Sequence, residues 1–190
     1  MLEGTHIRLE PLGAKHLPRL VEIGTGTDIF QWYTTPVHTA EEMLEFVNTA
    51  LSEQAAGTAL PFATVECRSG LVIGSTRFAA IDLIHRRVEI GWTWIAPDWQ
   101  RTPANTEAKY LMLRHAFEVW GCNRVEFKTD SLNGRSRAAL KRIGASEEGT
   151  FRNHMVTASG RLRHSVYFSV IREEWPVVRA GLEAKLPPSG

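Results

Sequence analysis

Cysteine is scarce in this chain. Among 190 residues there are two, Cys67 and Cys122, with no CxxC pair and no histidine-rich surroundings. That pattern argues against a disulfide framework or a zinc site and predicts reduced, buried thiols. Long apolar runs are missing as well: a helical membrane span needs roughly 20 predominantly apolar residues, and no stretch approaches that. Nor do the first residues carry the apolar core of a secretory signal, so a cytoplasmic location is expected. Neither sign of charge is in excess. The 22 Lys and Arg against 21 Asp and Glu leave a net +1, so no strong field points to nucleic acid or a membrane surface. A Gly-rich P-loop and a GxGxxG run are absent, which argues against an unrelated nucleotide-binding α/β protein. With no internal repeat or linker either, a single domain over 1–190 is expected, its last residues, 187–190, a frayed tail.

Hydrophobic residues make up 43% and charged residues 23%, enough for one well-formed core. Residues 6–9 read as a first strand, and residues 17–23 as a helix with Pro18 in its first turn. Thr39 and Glu42 have capping-box spacing ahead of Met43, Phe46, Val47, Ala50 and Leu51, one face of a second helix that Gly57 closes. Strand-like runs at 61–66, 71–82 and 87–95 are joined by short turns and predict an antiparallel meander. Tyr110, Leu113, Phe117 and Trp120 mark a helix over 106–120 that stops at Gly121. Residues 124–129 alternate as a strand, and 133–143 form a helix capped by Asn133 and closed by Gly144. Strands at 148–154 and 161–171 flank an Ala158-Ser159-Gly160 turn, before a last helix over 174–186. The strand–helix–strand crossover over 87–129 requires a parallel pair inside an otherwise antiparallel sheet.

The most informative stretch is EIGWTWIAPDWQRTPANTEAK, residues 89–109. Val88, Ile90, Trp92 and Trp94 alternate with Glu89, Gly91, Thr93 and Ile95. A loop then runs into the start of a helix. The first N–H groups of a helix have no internal partners and carry partial positive charge, so such a junction suits an anion. This order of strand, Gln100-Arg101 loop and Thr106-Glu107-Ala108 helix resembles the acetyl-CoA pyrophosphate loop of the GNAT acetyltransferases, most closely the RimJ/RimL-like branch. Counted from Gln100, the chain departs from the family loop: Pro103 stands at the first glycine and Asn105 at the second small position. Proline removes one N–H donor, whereas Asn105 can supply a side-chain donor.

The resemblance implies an α/β fold of α+β type. Its mixed, mostly antiparallel sheet would have six to seven strands, a central splayed parallel pair, and helices on both faces. It also implies acetyl-CoA as co-substrate, with no metal. Arg101, Thr102, Ala104, Asn105 and Thr106 match the pyrophosphate positions, after Gln100. Backbone groups of Trp94 and Ile95 would meet the thioester and the pantetheine arm. In KTDSLNGRSRAALKRIGA, residues 128–145, Asn133 would contact the cofactor and Ser136 would protonate the leaving thiolate. Leu140 stands where many relatives carry a tyrosine for that task. Structurally, Asn133 and Ser136 are equally explained as a helix cap and a first-turn residue. Arg135, Arg137, Lys141 and Arg142 either reach the nucleotide phosphate or form a solvated face.

Glu89, within the Glu-Ile-Gly-aromatic run, either takes a proton from an incoming amine or pairs with Arg87, Arg77 or another cation. His154 and His164 fall on facing strands and could line the acceptor entrance; relatives usually carry aspartate at the second position. His115 reads as a surface residue of its helix, and Trp32 and Tyr33 as core or groove. The leading expectation is an N-acetyltransferase acting by direct attack of a primary amine, with a peptide or protein N-terminus favoured over a small amine. The alternative is a non-catalytic acyl-CoA-binding regulatory module, motivated by Pro103 and Leu140. Either a monomer or a homodimer is compatible with the sequence.

Overall fold

The computed structural model describes residues 1–187. Eight strands form one sheet in the order β1-β2-β3-β4-β5-β6-β8-β7: β1 (Leu2–Glu3), β2 (Ile7–Pro11), β3 (Leu60–Glu66), β4 (Val72–Asp82), β5 (Arg87–Ile95), β6 (Arg124–Asp130), β7 (Ser146–Val156) and β8 (Leu162–Ile171). Five α-helices accompany them among the described residues: α1 (Leu17–Gly24), α2 (Ala40–Ala55), α3 (Ala104–Arg114), α4 (Gly134–Arg142) and α5 (Trp175–Glu183). Every strand pair is antiparallel except β5–β6. The sheet exceeds the expected six to seven strands because the two-residue β1 pairs with β2. None of the described helices is long and apolar enough to cross a membrane.

Successive residues of a strand point to opposite faces, and here each face has its own core. Phe62 joins Ile73, Phe78, Leu111, Met112, Ile143 and Val178, packing α3, α4 and α5 on one side. Its neighbour Ala63 joins Leu20, Phe30, Met43, Val47 and Trp94, packing α1 and α2 on the other. Thr39 caps α2 as its spacing predicts, accepting from the Glu42 N–H at 3.2 Å, while Glu42 reaches back to the Thr39 N–H.

Other boundaries differ from expectation. Helix α3 opens at Ala104, two residues before Thr106, because Pro103 serves as its N-cap at φ −61°, close to the angle its ring imposes. After Arg114 the chain continues as a π-turn over His115–Val119, so the helix is not regular to Trp120. His115 there is half-buried beside Phe78 and Trp120 rather than exposed. The last helix ends at Glu183 instead of residue 186. Cys122 is buried, Cys67 only half-buried, and both are free. Of the expected tail, residues 188–190 lie outside the described residues.

The parallel pair sets the geometry of the site. β5 and β6 are in register only at Arg87–Arg124, Val88–Val125 and Glu89–Glu126, and then part. A bulge lies on the other edge of β5. Between the pairs Ser75–Trp94 and Arg77–Gly91, Thr76 alone faces both Trp92 and Thr93, and Trp92 takes a left-handed φ of +48°. Such an extra residue bends its strand and increases the local twist. Gly74 permits the tight approach: a Cβ there would lie 2.1 Å from the Trp94 carbonyl oxygen.

Candidate active site

The gap between β5 and β6 opens into a cleft of about 1070 Å³. It runs from the loop ahead of α3, past α4, to the aromatic residues Trp32 and Tyr33. Glu89, Trp94, Ile95, Gln100, Arg101, Thr102, Asn105, Asn133 and Ser136 all line it. Ala104 and Thr106 do not: both are buried beneath the loop, where their side chains pack rather than face a ligand. Their backbone N–H groups still belong to the first turn of α3.

The loop is held by its own polar groups. Gln100 Nε2 donates to the Ile95 carbonyl at 3.1 Å. Thr102 Oγ1 donates to the Trp99 carbonyl at 2.7 Å and accepts from the Ala104 N–H at 3.3 Å. Arg101 has φ +62°, a left-handed conformation that costs energy for a residue with a Cβ. The first intrahelical bond runs from the Glu107 N–H to the Pro103 carbonyl at 2.9 Å. Pro103 thus removes only the N-cap donor, and the N–H groups of Asn105 and Thr106 keep no acceptor within the helix. Below the loop, the Ala96 N–H donates to Ile73 at 2.8 Å. Alternation along the strand therefore turns the backbone of Trp94 toward β4 and that of Ile95 toward the gap.

At the closed end of the gap Glu89 is 5% exposed. Burial pushes its carboxyl above the usual range, and the Lys128 ammonium opposes that shift. Their ion pair spans 3.0 Å. Neither Arg87 nor Arg77 is the partner: Arg87 pairs with Asp82 at 3.1 Å, and Arg77 pairs with Glu53 at 2.8 Å between the rings of Phe46 and Trp92. Gly91 keeps the carboxylate unobstructed, since a Cβ there would lie 3.0 Å from Glu89 Oε1. Further along, Asp130 is buried and pairs with Arg161 at 2.5 Å. Arg163 lies between Asp130, at 3.9 Å, and the Trp32 carbonyl, to which it donates at 3.4 Å. Burial lifts the Tyr33 phenol well above its ordinary pKa, leaving it a neutral hydroxyl.

On α4, Asn133 is the N-cap, its Oδ1 accepting from the Ser136 N–H at 3.0 Å. The Ser136 side chain lines the cleft together with Leu140. Of the four basic residues considered on this helix, Arg137 and Lys141 turn to Glu147, at 3.2 and 2.9 Å. Arg135 and Arg142 line the cleft; Arg142 donates to Thr106 Oγ1 at 3.0 Å. The two histidines of the last hairpin do not line it. His164 Nδ1 instead accepts from the Asn153 N–H at 2.8 Å, and His154 packs on Phe151 and Tyr167. A register break between Phe151 and Met155, with Asn153 at φ +50°, re-aims that strand and leaves Met155 at the cleft.

Sequence reasoning missed Lys109, Lys128, Asp130 and Arg163, which all line the cleft. Lys128 and Asp130 had a signal: they follow the last paired residue of β6, where the gap begins. Lys109 had almost none. It lies one turn beyond Asn105 on the same helix face, and its four-residue stretch, Thr106 to Lys109, is buried throughout.

Known proteins share this fold and sequence. An acetyltransferase (GNAT) domain matches residues 6–146. YdaF of Bacillus subtilis (strain 168), named as a candidate ribosomal N-acetyltransferase, is 33% identical over 106 residues, 56% of this chain and 57% of that protein. The match therefore spans little more than half of that relative. A crystal structure of a GCN5-related N-acetyltransferase from Brucella melitensis is 36% identical, with a TM-score of 0.90 over 98% of this chain and 85% of that one. Mycobacterium smegmatis RimJ in complex with CoA-disulfide shares the fold, with a TM-score of 0.80 at 22% identity over 94% of this chain and 88% of that one. With a domain match running from β2 through the splay to the first residue of β7, the chain belongs to the GNAT acetyltransferase family.

Proposed function

We propose that the protein transfers the acetyl group of acetyl-CoA to a primary amine by direct attack, with a peptide or protein N-terminus as the favoured acceptor. The observation that carries this reading is the continuity of the cleft: a helix N-terminus with free N–H groups at one end and a buried carboxylate at the other, joined by the gap between two parted strands. The pyrophosphate would meet the N–H groups of Asn105 and Thr106 beside Arg101 and Thr102. The peptide-like arm would fill the gap along the backbone of Ile95. Glu89 would take the proton of the attacking amine, its raised pKa bringing it nearer that task. Ser136 would return a proton to the departing thiolate.

The acceptor preference rests on proton arithmetic and on a relative. Near pH 7 an α-amine of pKa about 8 is ~10% neutral, and a lysine of pKa about 10.4 only ~0.1%. One carboxylate already paired with Lys128 suits the easier substrate, and the relative YdaF is named as a candidate ribosomal N-acetyltransferase. The test is CoA release over a panel of peptide N-termini and small amines. Turnover only with small amines would overturn the acceptor assignment. Acetyl-CoA binding without turnover on any amine would favour a regulatory acyl-CoA-binding module instead. In the active case, Ser136→Ala is expected to slow turnover by about 10²–10⁴-fold. An unchanged rate with chemistry limiting would move that proton to water.

A further inference from the structure

Lys109 is the least explained side chain of the cleft. It is 5% exposed, projects from α3, and lines the gap between β5 and β6. Its Nζ donates to Thr93 Oγ1 at 2.6 Å and stands 5.8 Å from the centre of the Phe127 ring. Thr93 belongs to one parted strand and Phe127 to the other, both beyond the last paired residues, Glu89 and Glu126. The amine is thus suspended in the opening where the sheet ladder is broken. No carboxylate within ion-pair distance of Nζ is found among the described residues. Thr93 Oγ1 also lies 2.7 Å from Thr76 Oγ1 and 3.4 Å from the Gly91 carbonyl oxygen, so one hydroxyl serves three polar groups. An ammonium has three donors and a neutral amine two, with one used here. Burying such a group without a countercharge is costly, and a methionine would fill the space without that cost.

We propose that Lys109 is a binding residue for the amide-bearing arm of the acyl donor, donating a hydrogen bond from the gap between β5 and β6 to an amide carbonyl of that arm. The inference rests on the reading of the cleft as the acetyl-CoA site. The parted edges of β5 and β6 offer backbone partners on either side of the gap, and Lys109 adds a donor from the direction of α3, which neither edge supplies. Burial lowers the Nζ pKa to about 7, so both the amine and the ammonium are accessible near neutrality, and either can donate. Asn105 sits one turn nearer the loop on the same face, which aligns the phosphate end and the arm along a single line of α3.

The test separates the arm from the nucleotide. Binding of CoA and of phospho-ADP, its nucleotide end without the arm, is measured by titration calorimetry on the intact protein. Lys109→Met is expected to weaken CoA by about tenfold or more and to leave phospho-ADP unchanged. Lys109→Gln, which changes polarity less, is measured alongside so that a general folding defect in the first variant is visible. A loss confined to CoA in either variant supports the assignment. An equal loss for both ligands in both variants, or no loss for CoA, overturns it. Wild-type protein that binds neither ligand would overturn the cleft reading itself, a result distinct from failure of the Lys109 contact.

Discussion

Glu107 and Lys109 lie two residues apart on α3, both buried, and they are treated in opposite ways. The Glu107 carboxylate accepts three backbone N–H groups, from Thr5 at 2.8 Å, His6 at 2.8 Å and Ile7 at 2.7 Å. It closes the turn between β1 and β2, and Gly4 makes room for it: a Cβ there would lie 2.6 Å from its carboxyl carbon. Lys109, facing the gap, has a single hydroxyl. One face of the helix is finished within the protein, and the other is left for something else to finish. A buried charge with a full set of partners is architecture, whereas one with a partial set marks where a ligand completes the structure. Glu89 falls between the two, buried with one cation and a carboxyl pKa still raised.

The largest expected effect concerns Glu89, the intermediate case. Glu89→Gln keeps the shape and removes the basicity. Turnover should fall by about 10²–10⁴-fold where the acceptor amine is almost wholly protonated. The deficit should shrink as pH rises toward the acceptor's own pKa. Pairs of pH–rate profiles with one α-amine and one lysine-like substrate check this, chemistry being kept rate-limiting. A deficit uniform in pH would place Glu89 with Glu107 as architecture.

Next is Glu107 itself. Glu107→Ala leaves three backbone donors without their acceptor, and removing one side of a buried charged network costs about 3 kcal/mol. The denaturant midpoint should drop accordingly, while CoA affinity under native conditions stays near wild type. A cost under about 1 kcal/mol would mean that water replaces the carboxylate and that its three bonds say little.

What the sequence made legible follows the same division. The strand Arg87–Ile95 matches its expected limits, because alternation with a Pro97 break is a local signal. The capping box at Thr39 and Glu42 is likewise local. The identity of the Glu89 partner was not, since it depends on which residue of β6 follows the end of pairing. Lys109 was hidden for another reason. Helical periodicity shows a buried face only when the opposite face is wet, and α3 is enclosed by the sheet, α5 and the β1–β2 turn. The histidines failed through geometry: Asn153, at φ +50° inside the register break, lies between facing-strand pattern and actual direction.

The smallest effect, and the sharpest contrast with Glu107, is the stability of Lys109→Met. Replacing an under-partnered buried amine by an apolar side chain of similar length should leave stability unchanged or raise it. The sign with pH follows from the depressed pKa. The group holds its proton up to about 10.5 when unfolded but only to about 7 when folded. Between those values the unfolded chain binds more protons, so wild type gains stability as pH rises through this window. Below about 7 the full penalty of holding an ammonium in the gap is present. The methionine variant carries no such term. Its advantage over wild type should therefore be greatest near about pH 6 and shrink toward about pH 9. Thr93 and Phe127, which meet Nζ, do not titrate there. Burial raises the Glu89 carboxyl, but that group faces Lys128 and is common to both proteins, so its titration cancels in the difference between them; the Glu107 carboxylate faces the β1–β2 turn instead. Denaturant midpoints of the two proteins at both pH values read the difference directly. A variant less stable than wild type at every pH would show that Lys109 holds α3 to β5, making it a second Glu107. A variant more stable, yet poorer at holding CoA, would show a charge kept in the gap against the interest of the fold.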